Sequence, residues 1–445
     1  MSRRRLAARV RRCGTLARVS GLALPLALAA CAPRATTPTL PSLEPVARAG
    51  LPSSNPTVRV GLLVDTARLE ITAPTAFDWV EPAGQRTLGS AAAGSRWVAS
   101  ADADGTIRVA PSGEPERGYG ARGMLLAVPR HDTATISLNG SPYRGMMLLR
   151  AGKPGRLTAV NVLDMETYLL GVVPSEIGPG RNDLEASKVQ AVAARTYAIT
   201  YLGRRAALGF DVLPTVDDQV YGGVKAEYGP VSRAVRETAG QILTHGGQPI
   251  EAYYSSTCAG HSAAMEEVWP ERTATGRPYL KAVRDVNPAT GLAYDSISPR
   301  FKWTERWTAA EFNQMLARTL ADSARKAGLS AVGEVRDLRI LERTPSGRVA
   351  HLQIETTTGT FHVGRDRIRW ILYTPKNAPL NSAKFDVEVM RAPDGRVQEV
   401  VARGGGWGHA VGMCQWGAIG RARAGQDYRA ILSTYYPNTE LVDLY

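Results

Sequence analysis

The chain has no apolar run long enough to cross a bilayer as a helix, no acidic residue in its first thirty positions and no internal repeat. The leading apolar stretch, Gly21–Ala30, spans ten residues, where a helical span needs about twenty. An N-terminal membrane span is therefore excluded, and so is a solenoid or propeller array. Cysteine is scarce, with four in 445 residues, and only Cys258 and Cys414 fall in the part expected to fold. A framework of several disulfides is out of reach. What the first thirty residues do contain is seven arginines followed by that short apolar stretch, the pattern of a signal peptide over 1–30. Its removal lowers the net charge from +13 to about +6 on 415 residues. A mildly basic, exported chain is a poor candidate for binding nucleic acid, and a weakly anionic wall polymer or membrane surface fits better.

Leu28-Ala-Ala-Cys31 resembles the lipobox of bacterial lipoproteins. The resemblance implies acylation of the Cys31 thiol, cleavage just before it and a membrane anchor through that lipid. An ordinary signal-peptidase site with an incidental cysteine is the alternative, and it leaves a secreted protein. Ala32 follows, without the aspartate that favours inner-membrane retention. The expected location is thus the outer membrane facing the periplasm in a diderm cell, or otherwise the outer face of the cytoplasmic membrane. Residues 31–57 are rich in Pro, Thr and Ser with no apolar period, and read as a disordered tether.

Beyond the tether, short alternating apolar runs separated by Gly and Pro predict a β-rich region over 58–150, including 58–64, 69–72, 106–109 and 123–128. Helical periodicity first emerges at 182–204, where Asn182 and Glu185 have capping-box spacing. Further helices are predicted at 230–238, 309–327 and 428–435, and strands return over 335–400, with 359–363 as a hairpin arm. The class is α+β, multi-lobed, with a β-rich N-terminal part, a helix-containing core over 151–285, an inserted α/β module over 286–400 and a C-terminal segment, 401–445, that completes the core.

Glu176 follows an apolar run and a proline and precedes Gly178-Pro-Gly180, which predicts a rigid loop ahead of a helix. A carboxyl against apolar walls has its charged form disfavoured and holds a proton near neutral pH, as a general acid for glycosidic cleavage requires. Lys188 and Arg195 lie two helical turns apart on one face and suit the carboxylate or acetamido groups of a sugar. The plainer alternative is that one of them simply pairs with Glu176. Trp407, Trp416, Tyr435 and Tyr436 are either sugar-stacking platforms or core aromatics, and Trp303 and Trp307 read as core of the intervening module.

The string Tyr168-Leu-Leu-Gly-Val-Val-Pro-Ser-Glu176, followed by Lys188-Val-Gln-Ala-Val-Ala-Ala-Arg195-Thr-Tyr197-Ala, resembles the core signature of the SpoIID/LytB family. Asp218-Gln219-Val-Tyr221-Gly-Gly, 249–261 and Gly404-Gly-Gly-Trp-Gly-His409-Ala-Val-Gly-Met-Cys414-Gln415-Trp416 match further blocks in the same order. The resemblance implies a lytic transglycosylase acting on peptidoglycan glycan strands stripped of stem peptides. Glu176 would be its catalytic acid and base, with Lys188, Arg195, Tyr197, Asp218, Gln219, Tyr221, His409, Gln415 and Trp416 lining the substrate groove. The family also contains enhancers of cell-wall amidases, so an amidase is a possible partner. No cofactor is required. Three family positions differ: Ala259 and Ala410 stand where glycine is usual, and Cys414 where serine is usual. Some family members hold zinc near here, which makes Cys258, His261, His409 and Cys414 candidate ligands. A Cys258–Cys414 disulfide and two free buried thiols are the other readings of this pair.

Overall fold

The computed structural model describes residues 40–43, 51–178 and 183–445, the side chains of 273–275 aside. The signal peptide, Cys31, most of the tether and Asn182 lie outside the described residues. No described helix is long and apolar enough to cross a membrane.

The N-terminal region forms two six-stranded antiparallel sheets. One runs Thr57–Thr66, Leu157–Asp164, Met146–Ala151, Met124–Pro129, Phe77–Glu81, Arg86–Ala91, and the other Ser141–Arg144, Thr135–Leu138, Arg68–Thr72, Arg96–Ala101, Thr106–Pro111, Tyr119–Arg122. Alternate residues of the strands face the other sheet, so Phe77, Trp79, Leu125 and Met147 of the first sheet meet Ile71, Trp97 and Ile107 of the second in one core. The expected boundary at 150 falls inside a strand, because Leu157–Asp164 pairs with both Met146–Ala151 and Thr57–Thr66. The β-rich unit thus ends at Asp164.

Helix α1, Met165–Ile177, starts there, capped by the Asp164 carboxylate, which accepts a hydrogen bond from the Thr167 amide at 3.1 Å. Helix α2, Leu184–Tyr201, begins at Asp183, whose side chain bonds Arg423 rather than capping its own helix. Helix α3, Gly229–Glu237, completes a trio around Val172, Ala191, Ala194, Val231 and Val235. Helix α4, Met265–Val268, leads by loops into the inserted module. Its strands Trp303–Thr308, Phe385–Arg391 and Val397–Gly404 form one sheet and Val335–Arg343, Val349–Thr356 and Thr360–Gly364 another. Helices α5, Ala309–Thr319, α6, Ala321–Lys326, and α7, Arg367–Ile371, pack on them. The helix predicted over 309–327 is therefore two, divided at Leu320. Trp307 is core, its indole N–H donating to the Tyr373 carbonyl at 2.8 Å.

The C-terminal segment returns to the helical core. Met413–Cys414 pairs in parallel with Tyr254–Ser255, helix α8, Gln415–Arg423, lies beside α2, helix α9, Tyr428–Tyr435, follows, and Glu440–Asp443 pairs with Gln241–His245.

Candidate active site

Glu176 sits in the last turn of α1, not on a loop. The helix escapes periodicity reading because nearly every face of it is buried, leaving no polar stripe, and because Pro174 lies inside it. Proline there cannot donate to the Leu170 carbonyl. Ser175 locally ties the turn by donating from its hydroxyl to the Gly171 carbonyl at 2.7 Å.

Gly171 explains how the 218–223 block reaches Glu176. A Cβ on Gly171 would lie 2.6 Å from Cε2 of Tyr221, so only glycine lets that ring lie on the helix. Tyr221 is held from below as its hydroxyl donates to Asn161 of the first sheet at 2.8 Å. The Gly222 amide donates to the Gly171 carbonyl at 3.2 Å. Val220, one residue before Tyr221, is thereby placed with its N–H donating to Glu176 Oε1 at 2.8 Å. Gln415, at the start of α8, donates to Oε2 at 3.3 Å, and Tyr254 adds a side-chain hydrogen bond.

These donors favour the carboxylate, yet burial outweighs them and raises the Glu176 pKa from 4.5 to about 6. Among the described residues its hydrogen-bond partners include neither a cation nor a second carboxylate. A layer of amides and phenols supports it. Gln219, fully buried, donates to the Tyr254 hydroxyl and the Ala194 carbonyl and accepts from Tyr168. Gln415 also donates to Gln190, whose own Nε2 is buried without a partner among the described residues. Tyr254, Tyr168, Gln190 and the Val220 amide are not singled out as site groups by sequence reasoning, although all four lie in the sequence blocks that carry the resemblance.

The other expected groove residues separate into distinct roles. Arg195 is fully buried and makes a two-pronged ion pair with Glu166, both N···O distances being 2.7 Å. Lys188 pairs with Glu185 and Glu237 at 2.9 Å each. Their carboxylate partners in the structure are protein groups, and neither cation pairs with Glu176, so the pairing expectation is corrected. Asp218 clamps its own loop through Arg204, Arg205 and the Leu213 amide. Tyr197 and Tyr221 are core aromatics, as are Tyr435 and Tyr436. Trp416 is partly buried against α1 and α2, and Trp407 lies beneath Arg300. His409 is driven down to about 4 by burial, so its ring is neutral at pH 7. Its Nδ1 accepts from the Val411 amide at 3.0 Å.

The four-ligand zinc set does not assemble. Cys258, Cys414 and Asp295 have ligand atoms within 4.8 Å of one another, and neither His261 nor His409 belongs to that cluster. The Asp295 carboxylate is already engaged by the amides of Ala259 and Gly260 at 2.7 and 2.9 Å. The residues present do not fit a tetrahedral S/N zinc site. Both cysteines are buried free thiols, with pKa values raised by burial.

The glycine-rich 404–412 segment supports this layer by lying directly on 253–258. Gly408, at φ +104°, would place a Cβ 2.8 Å from Cβ of Ser255. Ala259 and Ala410, the two departures from glycine, have φ of 56° and 65°. A left-handed backbone is one that glycine adopts without strain.

Fold and site together define a protein with a shielded carboxyl held by neutral donors, set in a helical core that carries an inserted module. Residues 153–245 match the family model described as Stage II sporulation protein, and 263–412 match a domain of unknown function, DUF8618. Stage II sporulation protein D of Bacillus subtilis is 34% identical over 298 residues, covering 64% of this chain and 76% of that protein. An uncharacterized protein of Brachyspira hyodysenteriae is 32% identical over 309 residues, 69% of this chain and 74% of its own length. The B. subtilis protein named Amidase enhancer is 31% identical over 297 residues, 61% of this chain but 40% of that protein. The chain belongs to the SpoIID/LytB family, and its function is cell-wall related.

Proposed function

We propose that the protein is a peptidoglycan lytic transglycosylase with Glu176 as its one acid and base. The observation that carries this is the Glu176 carboxyl, raised to about 6 and surrounded by neutral donors. In the protonated form it gives its proton to the glycosidic oxygen as the MurNAc C1–O bond breaks. The resulting carboxylate takes the proton of the C6 hydroxyl as O6 closes on C1, giving a 1,6-anhydro end without consuming water. The nucleophile belongs to the substrate, so the two-carboxylate geometry of hydrolases is not required. Val220, Gln415 and Tyr254 steady the carboxylate between the two transfers. A lipid on Cys31 would hold this activity at a membrane beside the wall.

The test is digestion of peptide-free glycan strands by wild type and Glu176→Gln, followed by mass spectrometry. Anhydro ends from wild type alone are expected, and their absence from wild type sinks the proposal. A second reading, stimulation of an amidase, rests on the relative named Amidase enhancer. It requires an amidase rate that rises equally with wild type and Glu176→Gln.

A further inference from the structure

Within residues 263–412, the part matched by the domain of unknown function, lies a cleft of about 740 Å³. It opens between the turn after α4 and the 335–364 sheet with α7. Two indoles line it, Trp269 and Trp370. Trp370 is 50% exposed. Its N–H is tied to the Asp366 carboxylate at 3.3 Å, which holds the ring in place. Trp269 is partly buried, with the Arg272 guanidinium 5.2 Å from its ring centre. Small residues, Ala350 and Gly364, leave room at the wall.

The polar lining is mixed in sign: Arg365 and Arg367 stand with Glu271, Glu342 and Asp366. Arg365 is fixed by donating to the Glu266 and Glu267 carbonyls at 3.0 and 2.8 Å, so it joins α4 to the module. A ligand of one sign would meet repelling as well as attracting groups. A sugar chain suits both features, because its hydroxyls donate and accept while its C–H faces are apolar and lie flat on indoles. Packed rings lead from the cleft toward the site of Glu176. Trp269 stacks near His409 at 4.9 Å between ring centres, and His409 lies 6.2 Å from Tyr253, the neighbour of Tyr254.

We propose that this cleft is a saccharide-binding site that holds the glycan strand at a distance from the reacting bond, with Trp370 as its platform. The occupant follows from the proposed function, but binding is separable from cleavage. The experiment uses the full-length chain carrying Glu176→Gln, so that no strand is cut, titrated with a peptide-free GlcNAc–MurNAc octasaccharide and, separately, with free stem peptide. Adding Trp370→Ala is expected to weaken octasaccharide binding about tenfold, the worth of one stacked ring, with the melting temperature unchanged. Undiminished affinity in Trp370→Ala overturns the proposal, as does binding of the stem peptide alone. If wild type yields no anhydro ends while Trp370-dependent binding persists, the transglycosylase reading fails and the cleft stands.

Discussion

The Val220 amide donates to the Glu176 carboxylate across 2.8 Å and 44 residues of chain. This bond joins the last turn of α1 to the 218–223 loop, and it works against the burial that lifts the Glu176 pKa to about 6. Because the acid form acts first, the rate should be highest at mildly acidic pH and fall as pH rises through about 6. A pH series of initial rates on peptide-free strands checks this. A rate that climbs between pH 6 and 8 contradicts a protonated Glu176 as the acid.

The same shift has a cost in stability. A carboxyl whose pKa is raised on folding favours the folded state below its unfolded value, and that advantage is lost as pH rises through the folded value. From 4.5 to about 6, the penalty grows to ~2 kcal/mol and is complete above pH 6. Glu176→Gln keeps the acceptor for Val220 and removes the charge. It should melt higher than wild type at pH 7.5 and with wild type at pH 4, by calorimetry.

Tyr254 stabilises the charged form of Glu176 through its hydrogen bond. Removing that donor with Tyr254→Phe should raise the Glu176 pKa and move the alkaline limb of the rate profile upward. A limb that stays in place, or moves to lower pH, would show that the phenol does not bond the carboxylate.

Arg195 and Lys188 should respond very differently to loss of charge. Arg195→Met breaks an ion pair whose arginine is fully buried and leaves Glu166, among the described residues, with the Gly240 amide and the Tyr445 hydroxyl. A loss of about 3–5 kcal/mol is expected by denaturant titration. Lys188→Met, at the edge of the helix, should cost no more than ~1 kcal/mol. A change in strand affinity with unchanged stability in either variant would support the gripping role.

The strands of the N-terminal region were legible because each half-buried strand alternates, and the helix at 428–435 because its apolar face is one stripe. Helix α1 was not, since burial on nearly all sides erases the period that marks a helix. Glu176 stood out by its setting, but the Val220 amide could not, because a backbone group leaves no mark in a sequence. Lys188 and Arg195 share a helix face as expected, yet spacing along a helix says nothing of whether that face meets solvent or Glu166.

Ala259 and Ala410 carry the last expectation. Each holds an L-residue in the left-handed region, at a cost of roughly 1–2 kcal/mol. Glycine removes that cost and adds about 0.5–1 kcal/mol of unfolded-chain entropy to lose. Ala259 is partly exposed, so its methyl contributes little and Ala259→Gly should stabilise by about 0.5–1 kcal/mol. Ala410 is 2% exposed, and losing its methyl forfeits roughly 0.8 kcal/mol of burial, leaving Ala410→Gly near neutral. Thermal melts of the two variants should therefore rank Ala259→Gly above Ala410→Gly. The reverse order would mean that packing of the 404–412 segment against 253–258, and not backbone strain, sets the preference at these positions.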